Sequence, residues 1–152
     1  MSQRFSVRRA RPSDLDQILA IERAGFGQWA WDRNTFAEYA RTCGDLFLVV
    51  CGDRVIGYCI TCITRRLLVR RAELVSIAVD PAARGKGAAD ALLLATLRGL
   101  KRRGVPRIGL TVKVTNERAQ AFYEKHGFRK AWRIARYYED GEDGFSFRLD
   151  LV

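Results

Sequence analysis

The stretch Ala72 to Asp90, AELVSIAVDPAARGKGAAD, constrains this chain more than any other. Its first half is apolar and β-rich through Leu74, Val75, Ile77, Ala78 and Val79, and it stops at Asp80-Pro81. Its second half sets glycines among basic residues, Arg84-Gly85-Lys86-Gly87-Ala88-Ala89, and opens an apolar helix. Strand, loop and helix start therefore follow one another. The first turn of a helix presents N–H groups with no intrahelical partner, and the macrodipole adds partial positive charge there. Glycines let an anion approach the backbone, and Arg84 and Lys86 add full charges, so the junction suits a phosphate or pyrophosphate. The spacing is neither G-x-G-x-x-G nor G-x-x-x-x-G-K-[ST], which sets dinucleotide and P-loop sites aside. The same small residues also suit close packing of a helix on a strand, and spacing alone does not choose.

At 152 residues, 48% hydrophobic and 29% charged, the chain is expected to form a single domain over residues 1–152 with a core of its own. The N-terminus MSQRFSVRRARP has no apolar leader segment, and no run approaches the roughly 20 apolar residues of a membrane span. A cytoplasmic protein with no membrane partner is expected. Cys43, Cys51, Cys59 and Cys62 lack zinc-like clustering and His126 is the one histidine, so no metal site is expected, and the cysteines read as reduced, small hydrophobes. A net charge of +10 attracts polyanions. The charges are scattered and carry no nucleic-acid motif, so direct nucleic-acid binding is not expected. A polyanionic cofactor, a ribonucleoprotein substrate or an arginine-rich genome would explain the same excess.

In chain order, Phe5 and Val7 alternate with polar residues as a half-buried strand. Pro12-Ser13-Asp14 predicts a helix start with Ser13 as N-cap, running to about Ala24. Gly25 to Trp31 then packs two glycines and three aromatics into a break, before a short helix capped by Asp32 or Asn34. Leu46–Val50 and Val55–Ile63 flank a Gly52-Asp53 turn as a hairpin, and Arg65-Arg66 marks a connection. A helix from about Lys86 to Arg103, a strand over Ile108–Val114 and a helix from about Thr115 to Gly127 come next. Two strands, Arg129–Tyr138 and Phe145–Leu151, close the chain around the acidic turn Glu139-Asp140-Gly141-Glu142-Asp143. This order predicts an α/β (α+β) fold, a mixed sheet with helices on both faces.

Two blocks resemble the GCN5-related N-acetyltransferase (GNAT) superfamily, and the likeness covers nearly the whole chain. The first is Arg84-Gly85-Lys86-Gly87-Ala88-Ala89 after Ala78-Val79-Asp80-Pro81. The second is LTVKVTNERAQAFYEKHGF, with Asn116, Tyr123 and Gly127-Phe128. The resemblance implies the GNAT fold: a mostly antiparallel sheet of about seven strands with a splay between strands 4 and 5. It implies acetyl-CoA as donor, with the pyrophosphate on the backbone from Arg84 to Ala89, the pantetheine arm beside Ile77, Ala78 and Val79, and a cofactor bond from Asn116, which also suits a helix cap. The nearest likeness is to bacterial ribosomal-protein alanine N-acetyltransferases. Phe26 with Trp29 or Trp31, and Tyr137-Tyr138 before the acidic turn, match the loops that wall the acceptor groove in that family. The acceptor would then be a protein or peptide N-terminal α-amine, or alternatively a small amine or a lysine side chain, and the protein a monomer or homodimer. The non-enzyme alternative is a CoA-binding module or nucleic-acid-associated protein without turnover.

The chemistry needs a neutral amine, oxyanion stabilisation and a proton for the departing thiolate. The resemblance makes Tyr123 the general acid, while a core aromatic beside Phe122 is its plain alternative. Thr111 stands where the ribosomal acetyltransferases carry a glutamate. Glu73 matches instead the catalytic glutamate of the histone-acetylating branch, and water is the further alternative. Strand alternation would give Glu73 the apolar face of Val75, Ile77 and Val79, desolvating it, unless it pairs with a neighbouring arginine.

Overall fold

The computed structural model describes residues 5–152; Met1 to Arg4, part of the expected domain, lie outside the described residues. The elements are β1 (Ser6–Arg9), α1 (Leu15–Phe26), α2 (Arg33–Thr42), β2 (Phe47–Cys51), β3 (Val55–Arg66), β4 (Val69–Val79), α3 (Ala88–Arg102), β5 (Arg107–Lys113), α4 (Glu117–Lys125), β6 (Arg129–Ile134) and β7 (Gly144–Asp150). All seven strands form one sheet in the order β1-β2-β3-β4-β5-β7-β6. Every neighbouring pair is antiparallel except β4 and β5, which run parallel.

Helices cover both faces. Leu92, Leu93, Leu97 and Leu100 recur at helical spacing and are buried, which presses α3 onto one face with Leu48, Val50, Ile108, Leu110, Val112, Tyr123 and Phe147. The other face carries Ile18, Leu19 and Ile21 of α1 and Phe36 of α2 over Phe47, Val49, Tyr58 and Ile60. Among the described residues no helix is long and apolar enough to cross a membrane.

Three sequence expectations are corrected. Arg65-Arg66 is no connection: β3 runs through it and pairs with β4 up to Arg66↔Val69, leaving Leu67-Leu68 as the turn. Ser13 caps nothing. The chain enters α1 through a 3-10 turn, where the Asp14 carboxylate accepts from the Arg11 backbone N–H at 2.7 Å. The cysteines are not all reduced, since Cys43 and Cys62 are joined by a disulfide that ties the end of α2 to β3. Cys51 and Cys59 remain free.

Candidate active site

The site begins where the sheet opens. The parallel ladder between β4 and β5 has two rungs, Ala72↔Ile108 and Glu73↔Gly109, although β4 continues to Val79 and β5 to Lys113. Past Glu73 the two strands part, and the β4 edge that carries Ile77, Ala78 and Val79 has no ladder partner on that side. An extended polar chain can pair there as an added strand.

A β-bulge sets which side chains face which side of this opening. Thr61 pairs with Leu74 and Ile60 with Ser76, so Val75 is an extra residue in β4. Ala72 and Leu74 belong to the α3 face, and so do Ile77 and Val79 beyond the bulge. Val75 and Ala78 pack on the α1–α2 face, and Ser76 meets Tyr58 of that face at 2.9 Å between hydroxyls. Glu73, opposite Cys62 in the ladder, therefore points to the α1–α2 side. It does not share a face with Ile77 and Val79, and it is exposed. The desolvation that plain alternation implied is removed by the bulge.

Around Glu73 on that side stand residues from three elements. The Tyr39 phenol of α2 is pushed up by its burial and then by the charges of Glu73 and Tyr137. Trp31 stacks on Tyr39 at 5.1 Å. Thr111, on the same side of β5 as implied by the buried Ile108, Leu110 and Val112 of the opposite face, lies under Tyr137. A Cβ at Gly144 would collide with Thr111 at 2.6 Å and touch Tyr137 at 3.4 Å.

Across the opening, Tyr123 of α4 sits in the α3-side core at 6% exposure, among Phe122, Phe128 and Phe147 at centroid distances of 5.3, 5.6 and 6.5 Å. Burial, then the proximity of Cys59 and Tyr138, pushes its phenol well above the ordinary tyrosine value. A phenol so placed stays protonated and donates.

The glycine loop takes the geometry that its sequence demands. Gly85 and Gly87 hold φ of 80° and 89°, with nothing within 4 Å of where a Cβ would stand. Glycine is required by backbone conformation rather than by crowding. Gly87 is the N-cap of α3 and supplies no side-chain cap. Asp90 in the first turn is turned away, held by Lys125 at 2.8 Å and His126 at 2.7 Å. The N–H groups of Ala88 and Ala89 thus meet no capping side chain, and Arg84 and Lys86 are exposed beside them. Asn116 caps α4, its Oδ1 accepting from the Ala119 N–H at 3.1 Å.

The expected acceptor residues are sorted rather than gathered. Phe26 and Trp29 are 43% and 47% exposed on the α1–α2 connection, whereas Trp31 packs edge-on against Phe36 and belongs to the core. The strand expected to reach Tyr138 stops at Ile134, so Tyr137 and Tyr138 lie in the loop before β7, ring to ring at 4.9 Å. The Tyr138 phenol is pushed up to about 12 by burial and the neighbouring Tyr137. The acidic turn is less of an electrostatic lure than its composition suggests. Lys113 holds Asp140 at 2.5 Å and Glu142 at 3.4 Å, and Arg133 holds Asp143 at 2.7 Å.

The family model described as Acetyltransferase (GNAT) family matches residues 14–128. The chain belongs to the GNAT family. An N-alpha-acetyltransferase of Saccharolobus solfataricus is 36% identical over 93% of this chain and 90% of its own length. The ribosomal protein bS18-alanine N-acetyltransferase of Escherichia coli is 31% identical over 87% and 85%. The crystal structure of the NatC complex bound to Gag peptide and CoA shares the fold, with a TM-score of 0.87 at 20% identity over 97% of this chain and 99% of that one. As a family member of this similarity the chain is an N-acetyltransferase.

Sequence reasoning missed a buried network beneath the bulge. Glu22 of α1 is 2% exposed; it accepts from the Tyr58 hydroxyl and from the Trp31 N–H at 2.9 Å. Tyr58 in turn meets Ser76 at the bulge. The signal was present: a glutamate in phase with Leu15, Ile18 and Leu19 on the apolar stripe of a helix must be satisfied by hydrogen bonds. Tyr39 carried no such signal.

Proposed function

We propose that this enzyme acetylates the α-amine of a protein or peptide N-terminus, taking the acetyl group from acetyl-CoA. The observation that carries this reading is the two-sided opening between β4 and β5, with Tyr123 on the α3 side and Glu73, Tyr39 and Tyr137 on the α1–α2 side. The residues present fit the donor. Positive-φ glycines with open space beside them, an uncapped 15-residue helix and two exposed cations suit a pyrophosphate, and the unladdered edge of β4 suits an amide-bearing arm. Arg84, Gly85, Lys86, Gly87, Ala88 and Ala89 would hold the pyrophosphate, and Ile77, Ala78 and Val79 the arm, with Asn116 beside it.

When bound, the donor supplies an activated acetyl thioester with a thiolate leaving group. Tyr123, kept protonated by its burial, would hydrogen-bond or protonate the departing sulfur. Glu73 orients the incoming ammonium and takes its proton directly or through one water, its exposure providing the water. Tyr39, Tyr137 and Tyr138 offer hydroxyls to an extended peptide backbone, and Phe26 and Trp29 line its approach. Donor and newly made chains share the cytoplasm, where we place the activity.

The reading is tested by following CoA release with peptides that carry a free α-amine, the same peptides with that amine blocked, and small amines. Turnover only with the free α-amine is expected. Turnover with small amines or internal lysines alone overturns the acceptor assignment.

A further inference from the structure

The β3–β4 hairpin ends in Arg65-Arg66-Leu67-Leu68-Val69-Arg70-Arg71, and three local choices there oppose the stability of the isolated chain. Arg65 stands directly opposite Arg70 in the ladder, where like charges repel. Leu67 holds φ 58° at the first position of a two-residue turn, which favours glycine and strains a bulky side chain. Leu67 and Leu68 are 90% and 96% exposed, with Val69 at 47%. No ion pair among the described residues uses Arg65, Arg66, Arg70 or Arg71, although Arg70 also donates to the Arg103 carbonyl. Strain, repulsion and exposed apolar surface at one point mark a place where local rules yield to a partner.

The arrangement specifies that partner. Alternation along the paired strands puts Arg65 and Arg70 on one face of the hairpin and Arg66 and Arg71 on the other. Positive charge therefore surrounds the aliphatic tip on both faces, set back by one to three residues, roughly 3–10 Å. A nucleic acid would engage the arginines and leave the leucines in water. A pocket in a protein would take the leucines without matching charge on both sides. A planar anionic layer over an apolar one matches both, and its headgroup-to-acyl boundary lies at a comparable depth.

We propose that this hairpin tip inserts into the surface of an anionic phospholipid bilayer, with Leu67 and Leu68 at the acyl boundary and the four arginines on lipid phosphates. Lys101, Arg102 and Arg103, at the end of α3 where Arg70 meets the Arg103 carbonyl, add charge. The attachment is peripheral, so the lack of a spanning helix among the described residues does not bear on it. The tip lies at the start of β4, and the opening of the sheet lies beyond Glu73, two residues past Arg71. The inference is independent of the acceptor.

The test is co-sedimentation of the full chain with phosphatidylglycerol-containing and pure phosphatidylcholine vesicles. Salt-sensitive binding to the anionic vesicles alone is expected. The double variant Leu67→Gly, Leu68→Ser should bind about tenfold or more weakly, with thermal stability equal or higher because glycine relieves the turn. Leu68→Trp should show blue-shifted emission on the anionic vesicles. Absence of vesicle binding, or binding indifferent to the leucines, overturns the proposal. So does binding to a structured RNA that displaces the vesicles and needs only the arginines, or self-association through the tip.

Discussion

In the proposed mechanism Tyr123 and Glu73 would divide the demands of acetyl transfer between two faces of one sheet. Tyr123 lies in an aromatic shell, its phenol raised by burial, and the contribution we propose for it is a proton held near neutral pH. Tyr123→Phe keeps the packing, so kcat should fall by about 10²–10⁴ while the KM for acetyl-CoA stays near wild type, both read by steady-state kinetics. A near-wild-type kcat would reduce Tyr123 to packing. For Glu73→Gln, a fall in kcat of about 10²–10⁴ is expected in steady-state kinetics, and a wild-type kcat removes Glu73 from proton transfer. Residue types in the glycine loop were legible because positive φ at Gly85 and Gly87 leaves little chemical choice. The surroundings of Glu73 were not, because a single extra residue in β4 turns every later side chain to the other face, and no residue between Glu73 and Ile77 announces it.

The elements on the α1–α2 side of the opening are held by two devices, of which the sequence signalled only the buried Glu22 end of the first. One is the Glu22–Tyr58–Ser76 network, which joins α1, β3 and the bulge. The other is the Cys43–Cys62 disulfide, which fixes the end of α2 to β3 at the residue paired with Glu73. Cys62→Ser, or reduction by dithiothreitol, frees α2 and with it Tyr39. The closed loop spans a sequence separation of 19, so thermal or denaturant unfolding should show a loss of about 3 kcal/mol. The KM for the acceptor should rise while that for acetyl-CoA, whose proposed binding loop precedes α3 on the opposite face, holds. Two free thiols at Cys43 and Cys62 by titration of the native, non-reduced protein would overturn this. At this scale the helices and the succession of strands were readable from period and turn residues, whereas the splay between the fourth and fifth strands was carried by the family resemblance. The β3–β4 hairpin was not, because Leu-Leu carries none of the Gly or Asn chemistry that marks a two-residue turn. The early stop of β6 was also hidden, since Arg136 adopts φ 48° without being glycine or asparagine.

Across the whole molecule, carboxylates are the scarce charge, 17 Asp and Glu against 27 Lys and Arg, and several of them tie elements together. Asp14 joins β1 to the start of α1, receiving Arg8 at 2.7 and 2.9 Å and the Arg11 N–H at 2.7 Å. The Arg8 bond holds its carboxyl below the ordinary value against the opposing effect of burial. Asp90 joins α3 to the end of α4. Burial works against its ionisation, and the bonds from Lys125 and His126 outweigh it, so it too is depressed. Carboxyls with folded-state values below the unfolded one bind fewer protons when folded. Their contribution is therefore present above the unfolded value of about 4, and it is lost as pH falls through the lower folded values. Protonation also leaves the excess of cations unopposed, which adds self-repulsion. Chemical denaturation as a function of pH should show a plateau near neutrality and a steep fall below about pH 4. Asp14→Asn removes the charge opposite Arg8 and turns one of its two acceptor oxygens into a donor, so it should lower the plateau by about 1–3 kcal/mol and flatten the acid slope, because the group whose protonation drives part of that slope is gone. A variant that loses the plateau but keeps the full slope would place the acid sensitivity elsewhere in the molecule.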